Sequence, residues 1–243
     1  MTRKFGLLGK DIDYSFSRTY FSEKFSLESI DAEYQNFDIP SISNFTEILQ
    51  QHPDVSGMNV TIPYKESVMP FLTELDSEAK EIGAVNTIKF EQGKLIGFNT
   101  DHYGFKKTLE PLLKKRHRRA LILGTGGASK AVAYTLKQLG IKYHYVSRNP
   151  DFEELNYSDL DEDIISSYKL IINCTPLGTY PNIDRAPDIP YEAISEKHFL
   201  FDLIYNPTET TFLKHGKAQG AKICNGLKML EHQAEKSWSI WNS

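Results

Sequence analysis

The sequence predicts an α/β protein of two domains, and three observations predict it. Strand-length apolar segments alternate with segments of helical spacing along nearly the whole chain, the pattern of a parallel sheet covered on both faces. An apolar run passes directly into a glycine turn and then a helix at "LILGTGGAS", residues 121–129. A length of 243 residues suits two domains of ordinary size.

The first half begins with a strand, "KFGLLG", ending at Gly9. "SRTYFSEKFSLES" has helical spacing, with Ser17 as its cap. "AEYQNFDI" alternates apolar and polar residues and reads as a strand. "SISNFTEILQQ" is a helix started by Ser41 or Ser43, with Phe45, Ile48 and Leu49 on one face. "VSGMNVTI" is a third strand; Pro63 stops it and a short helix starts near Tyr64. A short helix, a stop at Gly83 and a strand follow in "SEAKEIGAVNTIKF", and "EQGKLIGFNTD" completes a hairpin turning at Gln92 and Gly93.

The second half begins near His102 with the helix "HYGFKKTLEPLLKK", which Pro111 kinks or ends. Strand, glycine turn and helix follow up to a stop at Gly140, then the strands "KYHYVSR", "YKLIINCTPLG" and "FLFDLIY". The helix "TETTFLKHGKAQG" and the short strand "AKICNG" precede an amphipathic helix, "LKMLEHQAEKSWSIW". Its expected apolar face holds Leu227, Leu230, Ala234 and Trp238 or Trp241.

Composition narrows the functional classes. The chain is 40% hydrophobic and 25% charged, a globular profile, and no apolar run approaches the roughly 20 residues of a membrane span. No signal peptide is visible, and Cys174 and Cys224 are too few for a disulfide framework or a cysteine-rich metal site, so a cytoplasmic location and no metal are expected. A net charge of −4 offers no general field for nucleic acid. The basic run Lys114, Lys115, Arg116, His117, Arg118, Arg119 reads as a solvated helix end and loop.

The glycine turn carries a definite chemistry. Gly124 permits the tight turn, Gly126 lets the backbone approach a pyrophosphate, and the helix beginning at Gly127 and Ala128 offers N–H groups and the positive end of its dipole. Ser129 occupies the third glycine's place and is still small. A strand–turn–helix unit of this kind makes residues 102–225 a Rossmann-like, dinucleotide-binding domain. An NAD site usually has an acid at the end of the next strand; here the strand ends in Ser147, Arg148 and Asn149, and a guanidinium suits a 2′-phosphate. NADP is therefore expected over NAD.

In the first half, polar groups gather at strand ends: Ser15 and Ser17, then Asn59, Thr61 and Lys65, then Asn86, then Asn99, Thr100 and Asp101. Ligands of open α/β sheets sit at the carboxyl ends of strands, and this mixture suits a polyhydroxylated, anionic small molecule. Lys65 at the exit of a buried strand reads as a group that handles a proton.

Taken together, these segments resemble the shikimate dehydrogenases. "YSFS" is similar to the family's serine-x-serine motif, "NVTIPYKE" to its asparagine-valine-threonine segment, and "GAVNT", "NTDHYG", "GTGGAS", "NCTPLG", "DLIYNPTETTFL" and "NGLKMLEHQ" to further signatures in the same order. Arg18 stands where the family usually has proline, and Tyr14 where histidine is common. The resemblance implies reversible, NADPH-linked reduction of 3-dehydroshikimate to shikimate. It implies substrate contacts from Ser15, Ser17, Asn59, Thr61, Lys65, Asn86, Asp101, Tyr205 and Gln233, with Lys65 and Asp101 catalytic. It places Thr175 and Gly226 on the cofactor side. It also implies an N-terminal α/β substrate domain of residues 1–101, joined by about 226–243 as a returning C-terminal helix, with the active cleft between the two domains. The expected partner is a small-molecule substrate, with no nucleic acid or membrane, and the chain a monomer or homodimer. Alternatives are a quinate/shikimate dehydrogenase with relaxed substrate or NAD use, and a non-catalytic homologue acting as a binding module.

Overall fold

The computed structural model describes residues 2–13 and 15–243, so Tyr14 lies outside the described residues. The chain separates into two compact units, Met1–Thr100 with Ala234–Ser243, and Asp101–Gln233.

The first unit is built on a six-stranded sheet. Its strands are β1 (Arg3–Gly9), β2 (Ala32–Asp38), β3 (Val55–Val60), β4 (Glu74–Leu75), β5 (Thr87–Glu91) and β6 (Lys94–Phe98), in the order β2-β1-β3-β5-β6-β4. The sheet is mixed, not wholly parallel: β1 runs parallel to β2 and β3, whereas β5 is antiparallel to both β3 and β6. The tight turn at Gln92 and Gly93, both at positive φ, permits only an antiparallel pair there. Helices α1 (Phe16–Leu27), α2 (Phe45–Gln51) and α3 (Ser77–Ile82) cover it.

Several local expectations change. Ser15, not Ser17, caps α1, its Oγ accepting from the Arg18 N–H at 3.2 Å. Ser41 caps a 3₁₀ turn, Ile42–Asn44, that leads into α2. No helix forms at Tyr64: β3 ends at Val60, Thr61 lies beyond it, and turns lead to a 3₁₀ segment at Met69–Phe71. The Tyr64 ring is buried and its hydroxyl donates to Ile39 O at 2.7 Å, so the side chain fixes this turn where a helix does not.

The second unit meets the expectation of a parallel sheet. Strands β7 (Arg119–Leu123), β8 (Lys142–Ser147), β9 (Leu155–Asn156), β10 (Leu170–Asn173), β11 (Phe199–Asp202) and β12 (Lys222–Cys224) lie in the order β12-β11-β10-β7-β8-β9, every pair parallel. This is the doubly wound order, with its switch point between β7 and β10. Strand alternation feeds two cores. Ala120 and Ile122 pack with Phe105, Leu109 and Leu136, whereas Leu121 and Leu123 pack with Ile165 and Phe212. The covering helices are α4 (Asp101–Leu109), α5 (Gly127–Gln138), α6 (Glu162–Ser167) and α7 (Thr211–Ala218). A 3₁₀ turn at Glu110–Leu112 ends α4 at Pro111, as expected.

The last helix, α8 (Leu227–Trp241), buries a different stripe from the one its apolar residues suggest. Met229, Gln233, Ala234, Ser237 and Trp241 are buried, while Leu227 and Leu230 are only half-buried. Met229 joins the core of the second unit; Ala234 and Trp241 join Phe5, Phe21 and Phe25 in the first. The Trp241 indole donates to Ile88 O at 3.0 Å.

Candidate active site

The strand ends of the first unit converge on a buried polar network. Asn59 is the penultimate residue of β3 and 3% exposed. Its Oδ1 accepts from the Tyr34 hydroxyl at 2.8 Å. Its Nδ2 lies 3.2 Å from Asn86 O, 3.2 Å from Thr87 Oγ1 and 3.0 Å from Ser237 Oγ. Asn86, buried just before β5, accepts at Oδ1 from the Thr100 N–H at 2.7 Å, and its Nδ2 donates to Thr100 Oγ1 at 3.0 Å. Asn99 is buried and donates to Ala84 O at 2.9 Å. An asparagine in this cluster keeps both ends of its amide satisfied, which low-dielectric surroundings demand.

Two further segments border the network. Asp38 accepts from the N–H groups of Asp11 and Ile12 at 3.0 and 2.9 Å, and Asn36 donates to Ile12 O at 2.7 Å, ordering the loop that delivers Ser15. The half-buried Ser15 hydroxyl also donates to Asn36 Oδ1 at 3.2 Å. Ser17, half-buried on α1, hydrogen-bonds Tyr34, whose ionisation burial pushes well above its ordinary range. Thr61 N–H donates to Leu8 O at 2.9 Å. Lys65 is half-buried, and its backbone carbonyl accepts from the Val85 N–H at 2.7 Å. That bond ties the segment carrying Lys65 to the segment carrying Asn86.

In the second unit, Asp101 opens α4 and is 3% exposed, a carboxylate in the first turn where the helix dipole favours it. The glycine turn lies at the switch point. Gly124 has a φ of +97°, and a Cβ there would stand 3.0 Å from Thr175 Cγ2, at the end of β10. Gly126 caps α5 without a side chain, and a Cβ on it would meet nothing within 4 Å. Open space over a helix N-terminus that no side chain caps fits a pyrophosphate. Ser129 is fully buried and its Oγ donates to Gly126 O at 2.7 Å, so the serine in the third glycine's place satisfies its own hydroxyl. At the end of β8, Ser147 is half-buried and its Oγ accepts from the Asn149 N–H at 3.3 Å, while Arg148 and Asn149 are exposed.

Asp202, absent from the sequence-based set, organises the neighbouring loops. It is fully buried, and its carboxylate accepts from Thr210 Oγ1 at 2.6 Å, the Ile204 N–H at 3.0 Å and Asn173 Nδ2 at 3.0 Å. Asn173 Oδ1 accepts in turn from Thr175 Oγ1 at 2.6 Å. Burial raises the Asp202 carboxyl to about 6, against the pull of those hydrogen bonds. Half-buried Tyr205 lies in the loop held at both ends by Asp202, and the Gly226 N–H donates to Ile204 O at 3.0 Å. Gln233 is buried on α8 where it passes Gly104 of α4; a Cβ on Gly104 would stand 3.0 Å from the Gln233 nitrogen.

The residues of the basic run are partly tied down. Arg116 donates to Lys197 O at 2.8 Å, and His117 is buried, with Nδ1 accepting from the Lys114 N–H at 3.0 Å. Among the described residues no helix is long and apolar enough to cross a membrane.

A doubly wound parallel sheet with a glycine turn at its switch point defines a dinucleotide-binding α/β protein. Comparison with known proteins gives the rest. Residues 7–88 match the family model described as the shikimate dehydrogenase substrate binding domain. The NADP(+) shikimate dehydrogenase of Clostridium beijerinckii is 41% identical over 250 residues, covering 98% of this chain and 91% of its own. The structure of shikimate 5-dehydrogenase from Thermus thermophilus, in complex with NADP(H) and shikimate, matches with a TM-score of 0.87 at 29% identity, over 98% of this chain and 93% of that one. Quinate dehydrogenase from Corynebacterium glutamicum, in complex with NAD, also matches with a TM-score of 0.87, at 25% identity, over 99% of this chain and 93% of its own. The chain belongs to the shikimate dehydrogenase family.

Proposed function

We propose that this chain is an NADP-dependent shikimate dehydrogenase, an oxidoreductase that reversibly reduces 3-dehydroshikimate to shikimate. The observation that carries the reading is the pinning of Lys65 to the Asn86 segment through the Val85 N–H, beside a network that organises Asn86 and Thr100. A lysine so held, among amides and hydroxyls, suits a carbonyl substrate that carries several hydroxyl groups.

When bound, NADP(H) supplies or accepts the hydride at the ring carbon that changes oxidation state. Gly124, Gly126, Gly127, Ala128 and Ser129 would hold its pyrophosphate, Arg148 with Ser147 and Asn149 its 2′-phosphate, and Thr175 and Gly226 its remaining length. Lys65 stabilises the charge that develops on the carbonyl oxygen and donates the proton. Asp101 accepts a hydrogen bond from a substrate hydroxyl. Ser15 and Ser17 bind the carboxylate, and Thr61, Asn86, Tyr205 and Gln233 complete the contacts. We assign Asn59 to the support of Asn86 and Thr100, because both ends of its amide are engaged within the protein. In this reading residues 1–101 and about 226–243 serve the substrate, residues 102–225 serve the cofactor, and the enzyme works in the cytoplasm as a monomer or homodimer.

The test is absorbance at the reduced-nicotinamide band with shikimate plus NADP, run beside quinate and NAD in all four pairings. Turnover highest with shikimate and NADP supports the proposal. Higher turnover with quinate and NAD assigns the chain to the second activity found among its structural neighbours.

A further inference from the structure

We propose that Ser237, on the last helix, is a positioning residue for the substrate side of the reaction; this rests on the shikimate dehydrogenase reading above. Ser237 is fully buried. Its Oγ lies 2.8 Å from Thr87 Oγ1, 3.0 Å from Asn59 Nδ2 and 3.1 Å from Thr100 Oγ1. Those three partners belong to three segments: Asn59 to β3, Thr87 to the start of β5, and Thr100 to the residues that follow β6. One hydroxyl thus bridges three chain segments, adding to their strand pairing and to the direct Asn59–Thr87 and Thr87–Thr100 contacts at 3.2 and 3.3 Å.

A hydroxyl has one proton and two acceptor positions. Ser237 therefore accepts from the Asn59 amide and shares its remaining capacity with the two threonine hydroxyls. Thr100 is the member that transmits the effect. Its N–H and Oγ1 lie 2.7 and 3.2 Å from Asn86 Oδ1, and Asp101 follows it directly. Fixing Thr100 fixes the amide plane of Asn86 and the backbone from which Asp101 departs. A serine at this position also explains why the buried stripe of α8 is not purely apolar: Ala234 and Trp241 pack, and Ser237 between them completes the polar network.

The experiment measures kcat and both KM values for wild type, Ser237→Ala, Asn86→Ala and the double variant, together with thermal melting. Deleting the hydroxyl leaves buried donors without their partner, and the expected result is a KM for shikimate raised about tenfold with the KM for NADP unchanged. The double variant is expected to be clearly non-additive, since both changes act on one network. Thr87→Val, which trims the same network from the sheet, is expected to shift the KM for shikimate in the same direction, and it decides the matter if Ser237→Ala does not fold. Wild-type KM for shikimate in a folded variant overturns the inference, as does an equal rise in both KM values or strict additivity with Asn86→Ala. An inactive wild type would instead overturn the functional reading on which it rests.

Discussion

Tyr34 donates its phenolic proton to Asn59 Oδ1 at 2.8 Å, joining the middle of β2 to the end of β3 inside the first unit. The contact lies beneath the strand ends, and it makes Asn59 an internal strut. Asn59→Ala would leave the Tyr34 hydroxyl and the Ser237 and Thr87 hydroxyls short of a partner. A stability loss of about 3 kcal/mol or more is expected, at about 1–3 kcal/mol for each of these three buried groups. Urea denaturation measures it. Unchanged stability with a raised KM for shikimate would return Asn59 to the role of a substrate ligand.

Lys65→Ala is expected to lower kcat by about 100-fold or more, the range for removal of a positioned proton donor, with a smaller change in KM. Steady-state assays in the direction of ketone reduction give both constants. Near-full turnover in the variant would remove Lys65 from the chemistry.

Arg148 is exposed at the tip of β8, where its charge partly offsets the burial that pushes the Tyr157 hydroxyl up to about 12. Arg148→Ala is expected to raise the KM for NADP by about tenfold or more through loss of a charge-assisted contact, and to leave the KM for NAD nearly unchanged. Equal effects on the two cofactors would show that the arginine does not read the 2′-phosphate.

The Asp202 carboxyl has a folded-state pKa of about 6 against an ordinary value of 3.8. A raised pKa means that the folded state holds the proton more tightly than the unfolded one. The contribution of Asp202 to stability is therefore greatest below about pH 4 and is lost as pH rises through 6. Relative to Asp202→Asn, the wild type should lose on the order of 3 kcal/mol between pH 4 and pH 7. Denaturation of both proteins across that range tests it, and a pH-independent difference would show that Asp202 does not titrate in this window.

The sheet of the second unit is legible because β7, β10 and β11 are nearly unbroken apolar runs, buried on both faces and bounded by glycine or polar residues. Strands β4 and β9 are two residues each, too short for any period to register. Helix α6, "EDIISS", is hidden because its only apolar residues are adjacent, although Asp161 caps it through the Ile164 N–H at 2.8 Å. The polar residues at strand ends are legible from type and spacing. Their support is not: Tyr34 reads as one aromatic among 13 tyrosines, and Ser237 as one small residue on an amphipathic helix. Asp202 is missed because Asn173, on the neighbouring strand, and Thr210, across a loop, become its partners only when the chain folds. A buried polar network is a property of three-dimensional neighbours, which hydrophobic periodicity does not encode.

The division of α8 between the units bears on how the chain is made. The second unit is one continuous stretch, Asp101–Gln233, so all of its strands are available before α8 is complete. The first unit has its strands early, yet its core of Phe5, Phe21 and Phe25 awaits Ala234 and Trp241. During synthesis that aromatic face stays open while more than half of the sequence is still emerging, an interval in which exposed apolar surface invites aggregation or chaperone capture. Residues that serve the finished enzyme as a helix thus also set the moment at which the nascent chain becomes safe.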